Sequence, residues 1–249
     1  MDFRIARYDQ IGSTNAEIKR MIETGGPEGS VCRARVQTEG YGRQGRVWSS
    51  PEGGLYQSLL LRPNTPMAQL PTLALVVALA VREAALAQSA AASSDIKVKW
   101  PNDVMACIDG QWGKLSGISC EVHAGGVCVG IGVNVLKTED ARELAGKNAA
   151  AYLADLGGRA DGDAIDRLGD AILETLAERY ARWANEGFVS FADEYAACSY
   201  LDGIQVRIAD RAGSVTAEGI ACGVDADGRL LLQTAAGIIP ISSGEAHLI

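Results

Sequence analysis

The segment Gly40-Tyr41-Gly42-Arg43-Gln44-Gly45-Arg46-Val47-Trp48 carries the densest chemistry in the chain. Its glycines let a ligand approach backbone N–H groups closely. The guanidiniums of Arg43 and Arg46 can fork onto carboxylate or phosphate oxygens, and Trp48 adds a flat apolar wall. The combination suits an anionic ligand with a ring, a nucleotide foremost. The same glycines spell G-x-G-x-x-G, which signals dinucleotide binding only between a strand and a helix, with an acidic residue about 20 positions on. Residues 31–36 do read as a strand, but the chain then runs through Pro51 and Gly53-Gly54 into a second strand at 55–61, and no carboxylate stands near Thr65. The dinucleotide reading is rejected. On this segment alone, a phosphate loop and a hairpin with solvated arginines remain equal alternatives. A loop this rich in glycine and charge is expected to be mobile when empty and ordered by ligand.

Other groups could supply complementary chemistry. Lys99-Trp100-Pro101-Asn102-Asp103 lies where a strand ends, because Pro101 stops the ladder. A lysine, a carboxamide and a carboxylate there could serve a phosphate and Mg²⁺, although an inert Asn-Asp turn explains the same residues. Lys114 stands between Gly113 and Gly117 at a strand mouth, where it could meet developing negative charge or simply be solvated. A Walker A pattern is absent. Thr14 and Glu17 have capping-box spacing, which makes Thr14 the helix cap and leaves Ser13 and Asn15 for a polar uncharged group such as a urea or amide. Asn134 closes an apolar strand and needs a partner, either a ligand or metal or the strand-end turn itself. His123 and His247 lack nucleophile partners, so no triad is assigned.

These groups need a scaffold, and the pattern supplies one. The 249 residues, 47% hydrophobic, describe a globular chain with one large domain or a large and a small one. The net charge of −8 argues against a general nucleic-acid binder. The apolar run at 73–81 is too short to span a bilayer and reads as a buried helix. The N-terminus lacks the apolar core of a signal peptide. Six scattered cysteines without a C-x-x-C pair read as reduced, mostly buried thiols of a cytoplasmic protein, not a zinc site. Strands are expected at 4–8, 31–36, 55–61, 96–100, 117–122 and 126–135, the last central. Helices are expected at 14–22, 71–86, 164–186 and 188–197. The helix at 164–186 carries Leu168, Ile172, Leu176, Tyr180 and Trp183 on one stripe. After Tyr200, short alternating strands at 204–208, 214–223, 230–234 and 238–241 suggest an appended small barrel.

The order of these signals is more specific than any one of them. Ser13-Thr14-Asn15, Gln37-Thr38, the arginine loop, Lys99-Trp100-Pro101-Asn102-Asp103, residues 113–117 and Gly130-Ile131-Gly132-Val133-Asn134 follow one another along the chain. In that order, from about Tyr8 to the C-terminus, the chain resembles the biotin protein ligases (biotin–[acetyl-CoA-carboxylase] ligases). The resemblance implies an α+β fold: a mixed-sheet biotin/lipoate-ligase-like catalytic domain at 1–198 and a small C-terminal SH3-like β-barrel at 199–249. It implies a ligase that converts biotin and ATP, with Mg²⁺, to biotinyl-5′-AMP, then transfers biotin to a lysine of biotin carboxyl carrier protein of acetyl-CoA carboxylase.

By position, the resemblance implies biotin contacts from Ser13, Thr14, Asn15, Gln37, Tyr41, Gly42, Arg43, Lys114 and Gly117. It implies ATP contacts from Arg43, Arg46, Trp48, Lys99, Asn102, Asp103 and Asn134, with Asp103 as the metal ligand and Lys114 and Arg43 as catalytic groups. One departure stands out. The family loop reads G-R-G-R-x-G-R, whereas Tyr41 replaces its first arginine and Glu39 precedes Gly40. Some relatives carry an N-terminal winged helix. Here the motifs begin at Ser13, so no DNA contact is expected; the short apolar run at 73–81 gives the same expectation for a membrane, and homodimer formation is left open. The rival readings are a lipoate or octanoate ligase or transferase of the same superfold, and a non-catalytic biotin-sensing module.

Overall fold

The computed structural model describes residues 1–138 and 150–249. Seven strands, β1 (Arg4–Ile11), β2 (Ser30–Gln37), β3 (Gly54–Leu61), β4 (Ile96–Lys99), β5 (Asp103–Ile108), β6 (Gln111–His123) and β7 (Gly126–Asn134), form one sheet in the order β1-β2-β3-β7-β6-β5-β4. β1 and β2 run parallel, and every other neighbouring pair is antiparallel. The sheet is mixed, and β7, the nearly all-apolar strand, is central as expected.

Side chains alternate across the strands, and the two faces take different helices. On one face α1 (Thr14–Glu23) lays Ile18 and Ile22 against Cys32, Leu60 and Cys128. On the other, α2 (Leu73–Ala87) and α3 (Ala164–Glu186) pack on Val31, Leu55, Leu59 and Leu61. β3 is buried along its whole length because both faces are covered. The stripe Leu168, Ile172, Leu176, Tyr180 and Trp183 is buried, as its spacing requires. A short helix, α4 (Ala192–Ala197), follows a 3-10 turn at Phe188–Phe191.

Five further strands, β8 (Gln205–Ala209), β9 (Val215–Val224), β10 (Leu230–Thr234), β11 (Gly237–Ile241) and β12 (Glu245–Leu248), make a separate antiparallel sheet in the order β11-β10-β9-β8-β12. It touches the main body where Trp100 Nε1 donates to the Gly228 carbonyl at 3.0 Å.

Several expectations need correction. The helical run Met67–Ala87 is 21 residues and apolar enough to cross a membrane by length and composition, longer than the stretch at 73–81 suggested. Its composition is accounted for by packing: ten residues of α2 are buried in the core. Pro71 does not open α2 but lies in a preceding 3-10 turn, Met67–Thr72. Lys99 to Asp103 is not an outward exit. It is a hairpin across the Trp100–Pro101 cis bond, with Lys99 paired to Asp103 and an unforeseen strand, β5, beyond it. Of the six free cysteines only Cys32, Cys128 and Cys198 are buried, and Cys222 is exposed.

Candidate active site

A cavity of about 380 Å³ opens between the N-terminus of α1, the end of β2, the middle of β3, the β6–β7 floor and the 40–48 loop. It gathers Thr14, Asn15, Gln37, Tyr41, Gly42, Arg43, Arg46, Trp48, Asn102, Asp103, Lys114 and Gly117, all singled out from the sequence. Ser13, Lys99 and Asn134 do not line it.

The reason for Ser13 is local. Ser13, not Thr14, is the extended residue before the helix, and its Oγ accepts the Ala16 amide at 3.5 Å. The roles assigned from the capping box are therefore exchanged. Thr14, one residue inside, turns its hydroxyl to the cavity. Lys99 sits across the β4–β5 hairpin from Asp103, and burial, reinforced by the nearby Lys114, pushes its ammonium down although Asp103 pulls it up. Asn134 donates to the Lys114 carbonyl at 3.0 Å and so anchors the backbone of that lysine.

One end of the cavity is neutral and crowded with short hydrogen bonds. Gln37 Oε1 accepts the Thr14 amide at 2.8 Å and the Thr14 hydroxyl at 3.0 Å. Asn15 Nδ2 donates to Ser119 Oγ at 3.2 Å. Ser58 Oγ lies 2.7 Å from both Thr14 Oγ1 and Asn15 Oδ1. A hydroxyl has a single proton, so Ser58 can donate to only one of those oxygens. The network retains acceptor capacity for a ligand N–H. Ser58 and Ser119 were not anticipated, because isolated serines on strands carry no signal.

The other end is charged. Lys114 Nζ stands 2.7 Å from Asp103 Oδ1 and 5.3 Å from the Trp48 ring centre. Arg46 pairs with Glu245, which β12 of the second sheet delivers into the cavity. Arg43 Nη1 donates to the Asn102 carboxamide at 2.7 Å, and Asn102 is itself held through Nδ2 to the Ile118 carbonyl at 2.7 Å. Burial lowers the Arg43 guanidinium from its usual value, Arg46 adds to this, and Asp103 offsets part of it. A guanidinium starts so high that it stays charged. Its direct side-chain partner is a neutral amide, so its charge remains available to an anion.

Glycines shape the floor and the loop. Gly117 and Gly132 pair across β6 and β7, and a Cβ on Gly132 would come 2.6 Å from the Trp48 indole, on Gly117 2.9 Å. The indole therefore rests on two bare backbones. Gly130, two residues along the same strand face, abuts Asn15 Oδ1. The spacing Gly130-x-Gly132 in a central strand was a readable sign of close approach. In the loop, Gly40 is required because a Cβ would meet Ser50 Oγ at 2.5 Å. Residues Arg43–Gly45 form a 3-10 turn and not the helix a pyrophosphate-binding fingerprint needs.

Comparison with known proteins agrees with this geometry. The sequence pattern of the biotin/lipoate A/B protein ligase family matches residues 8–137, and that of the biotin protein ligase C terminal domain matches 203–248. The chain is 35% identical to the bifunctional ligase/repressor BirA of Bacillus subtilis, with 97% of this chain and 73% of that protein covered. It is 34% identical to the biotin–[acetyl-CoA-carboxylase] ligase of Paracoccus denitrificans, with 95% and 96% covered. The structure of the biotin protein ligase from Aquifex aeolicus in complex with biotin and ATP superposes with a TM-score of 0.83 at 30% identity, covering 99% of this chain and 98% of that one. With sequence match, fold and cavity in agreement, this chain belongs to the biotin/lipoate A/B protein ligase family.

Proposed function

We propose that the chain is an ATP-dependent biotin–protein ligase that makes biotinyl-5′-AMP and passes biotin to a lysine of the biotin carboxyl carrier protein of acetyl-CoA carboxylase. The supporting observation is the polarity of this cavity. A neutral network with spare acceptor capacity, around Thr14, Asn15, Gln37 and Ser58, matches a ureido ring. At the far end Arg43, Arg46 and Lys114 match a carboxylate beside phosphates.

In the first step the biotin carboxylate attacks the α-phosphorus of ATP and pyrophosphate leaves. Two like charges about 4 Å apart repel by roughly 4 kcal/mol at an effective dielectric of 20. Lys114 can exchange Asp103 for the reacting oxygens, and Arg43 needs to give up only an amide. Fixed cations then stabilise the charge on the pentavalent phosphorus. In the second step the neutral amine of the carrier lysine attacks the acyl carbon, the amide forms and AMP leaves. Trp48 offers a face for the nucleotide. Magnesium enters as part of the MgATP substrate. Asp103, the carboxylate expected to bind it, is held by Lys114, and among the described residues no three His, Cys, Asp or Glu side chains cluster.

We assign the ligase unit to 1–198 and the C-terminal unit to 199–249, in a reducing cytoplasmic setting that suits six free thiols. Neither DNA nor membrane contact belongs to this reading. A net charge of −8 offers little for phosphate contacts, and a gel shift against a biotin-operon promoter tests it. A lipoate or octanoate substrate is disfavoured because its apolar end would leave the Gln37–Thr14–Ser58–Asn15 groups without ligand partners. Titration with biotin and with lipoate separates the two. The deciding experiment is mass spectrometry of a biotin carboxyl carrier domain after incubation with this protein, biotin and MgATP. Gain of one biotin on one lysine is expected, and an unmodified carrier refutes the proposal.

A further inference from the structure

Tyr41, which stands where the family loop has an arginine, is not free at the cavity rim. Lys19, one turn into α1, places its ammonium 5.3 Å from the centre of the Tyr41 ring. The same ammonium bonds Glu121 Oε2 on β6 at 2.7 Å. Asn15 Nδ2 reaches the Tyr41 carbonyl at 3.4 Å. The ammonium is half-buried, and burial alone would lower its pKa. The Glu121 carboxylate and the Tyr41 phenol outweigh that and hold it above its ordinary value. Glu121 Oε1 has no hydrogen-bond partner among the described residues, so the carboxylate's only hydrogen-bonded partner is Lys19.

From Tyr41 the restraint passes into the loop. Tyr41 and Val47 form an antiparallel bridge, the Gly42 amide donates to the Arg46 carbonyl at 2.8 Å, and the Trp48 amide donates to the Gly40 carbonyl at 2.9 Å. The loop is thus a small hairpin whose first arm is fixed at Tyr41. Its tip, Gln44 to Val47, is exposed.

We propose that Lys19 is a positioning residue. Braced by Glu121, it holds Tyr41 against α1 and so keeps the base of the ligand loop formed before ligand arrives, which slows escape of the bound ligand. An arginine at position 41 would set a second cation beside the Lys19 ammonium, so a tyrosine is the residue this cation–π contact calls for. The loop divides accordingly. Its base is fastened in the free protein, Arg46 is paired with Glu245, and the exposed turn around Gln44 is left for ligand to order.

The inference about escape rests on the ligase reading, but its structural part does not, and the test separates them. Amide hydrogen exchange of the free protein is measured at Gly42 and Trp48, with Leu59 in the core as the control. Lys19→Met keeps the stem and removes the charge. It is expected to raise exchange at Gly42 and Trp48 about 3–5-fold and to leave Leu59 unchanged, the scale of one partly exposed cation–π contact with its ion pair. Lys19→Arg should restore protection, because a guanidinium can both stack on the ring and bond Glu121. Biotin dissociation from the Lys19→Met protein should quicken by the same factor, while single-turnover pyrophosphate release at saturating biotin and MgATP stays within about twofold. Unchanged exchange at Gly42 and Trp48 in Lys19→Met overturns the proposal, as does Lys19→Arg behaving like Lys19→Met. Faster exchange without faster biotin release refutes the control of escape. If the wild-type protein binds no biotin at all, the ligase reading fails while the exchange result still decides the role of Lys19.

Discussion

Replacing Gly130 with alanine tests how the neutral end of the cavity is built. A Cβ at this position would sit 2.2 Å from Asn15 Oδ1 and 2.6 Å from Ser119 Oγ, where ordinary contact begins at 3.4 Å. Asn15 must retreat by about 1 Å, yet its amide is tied to Ser119 and its oxygen to Ser58, both in buried hydrogen bonds. Overpacking a well-filled site costs about 1–3 kcal/mol. Stranding one buried polar group adds about 1–3 kcal/mol. A loss near 4 kcal/mol is expected, and at roughly 2–4 °C per kcal/mol for a chain of this size the melting temperature should fall by about 10 °C. Biotin should bind about 100-fold more weakly, because two hydrogen bonds worth about 1.5 kcal/mol each would be misaligned. Gly162→Ala is the control, since nothing lies within 4 Å of its added Cβ. Thermal melts and calorimetric titration of the three proteins give the answer. A Gly130→Ala protein that melts with the control and binds biotin like the wild type would refute the account of the network.

Three further outcomes are expected. Lys114→Ala should slow adenylation by about 3–4 kcal/mol of lost transition-state stabilisation, with biotin affinity falling less than turnover, as read by single-turnover pyrophosphate release. Alkylation at pH 8 should label the exposed Cys222 first and spare Cys32, whose thiol burial pushes up to about 12, until denaturant is added; peptide mapping checks this. At Asp166, burial works to raise the carboxyl, but Arg33 and Arg7 outweigh it and hold it low. Its stabilising effect is therefore complete above the unfolded value of about 3.9 and is lost as pH falls through the lower folded value. Asp166→Asn should accordingly destabilise the protein at pH 6, and the penalty should shrink as pH falls through the folded value, as measured by urea melts.

What the sequence determined by itself was whatever depends on neighbours along the chain. The buried stripe of α3 was legible because a 3.6-residue period has one interpretation in a long segment, and its bounds, Ala164–Glu186, came out at both ends. The central strand was legible from its unbroken apolar run, and the loop from its arginines among glycines. The motifs also named most residues of the cavity, since each local chemistry is written in consecutive residues. What lay beyond reach was every decision made between distant segments. Cap and ligand roles at Ser13 and Thr14 differ by a rotation of one residue about α1, which only the seating of that helix on β2 and β3 settles. β5 was missed because a cis Trp100–Pro101 hairpin looks like an exit until Lys99 and Asp103 pair. Ser58, Ser119 and Glu245 have no motif. They become site residues because β3, β6 and β12, far apart in the chain, converge there. Whether a cation is available or already matched was also decided in three dimensions. Lys114 and Arg46 meet carboxylates while Arg43 meets an amide, because charge pairing depends on distance in space, which the order of residues does not contain.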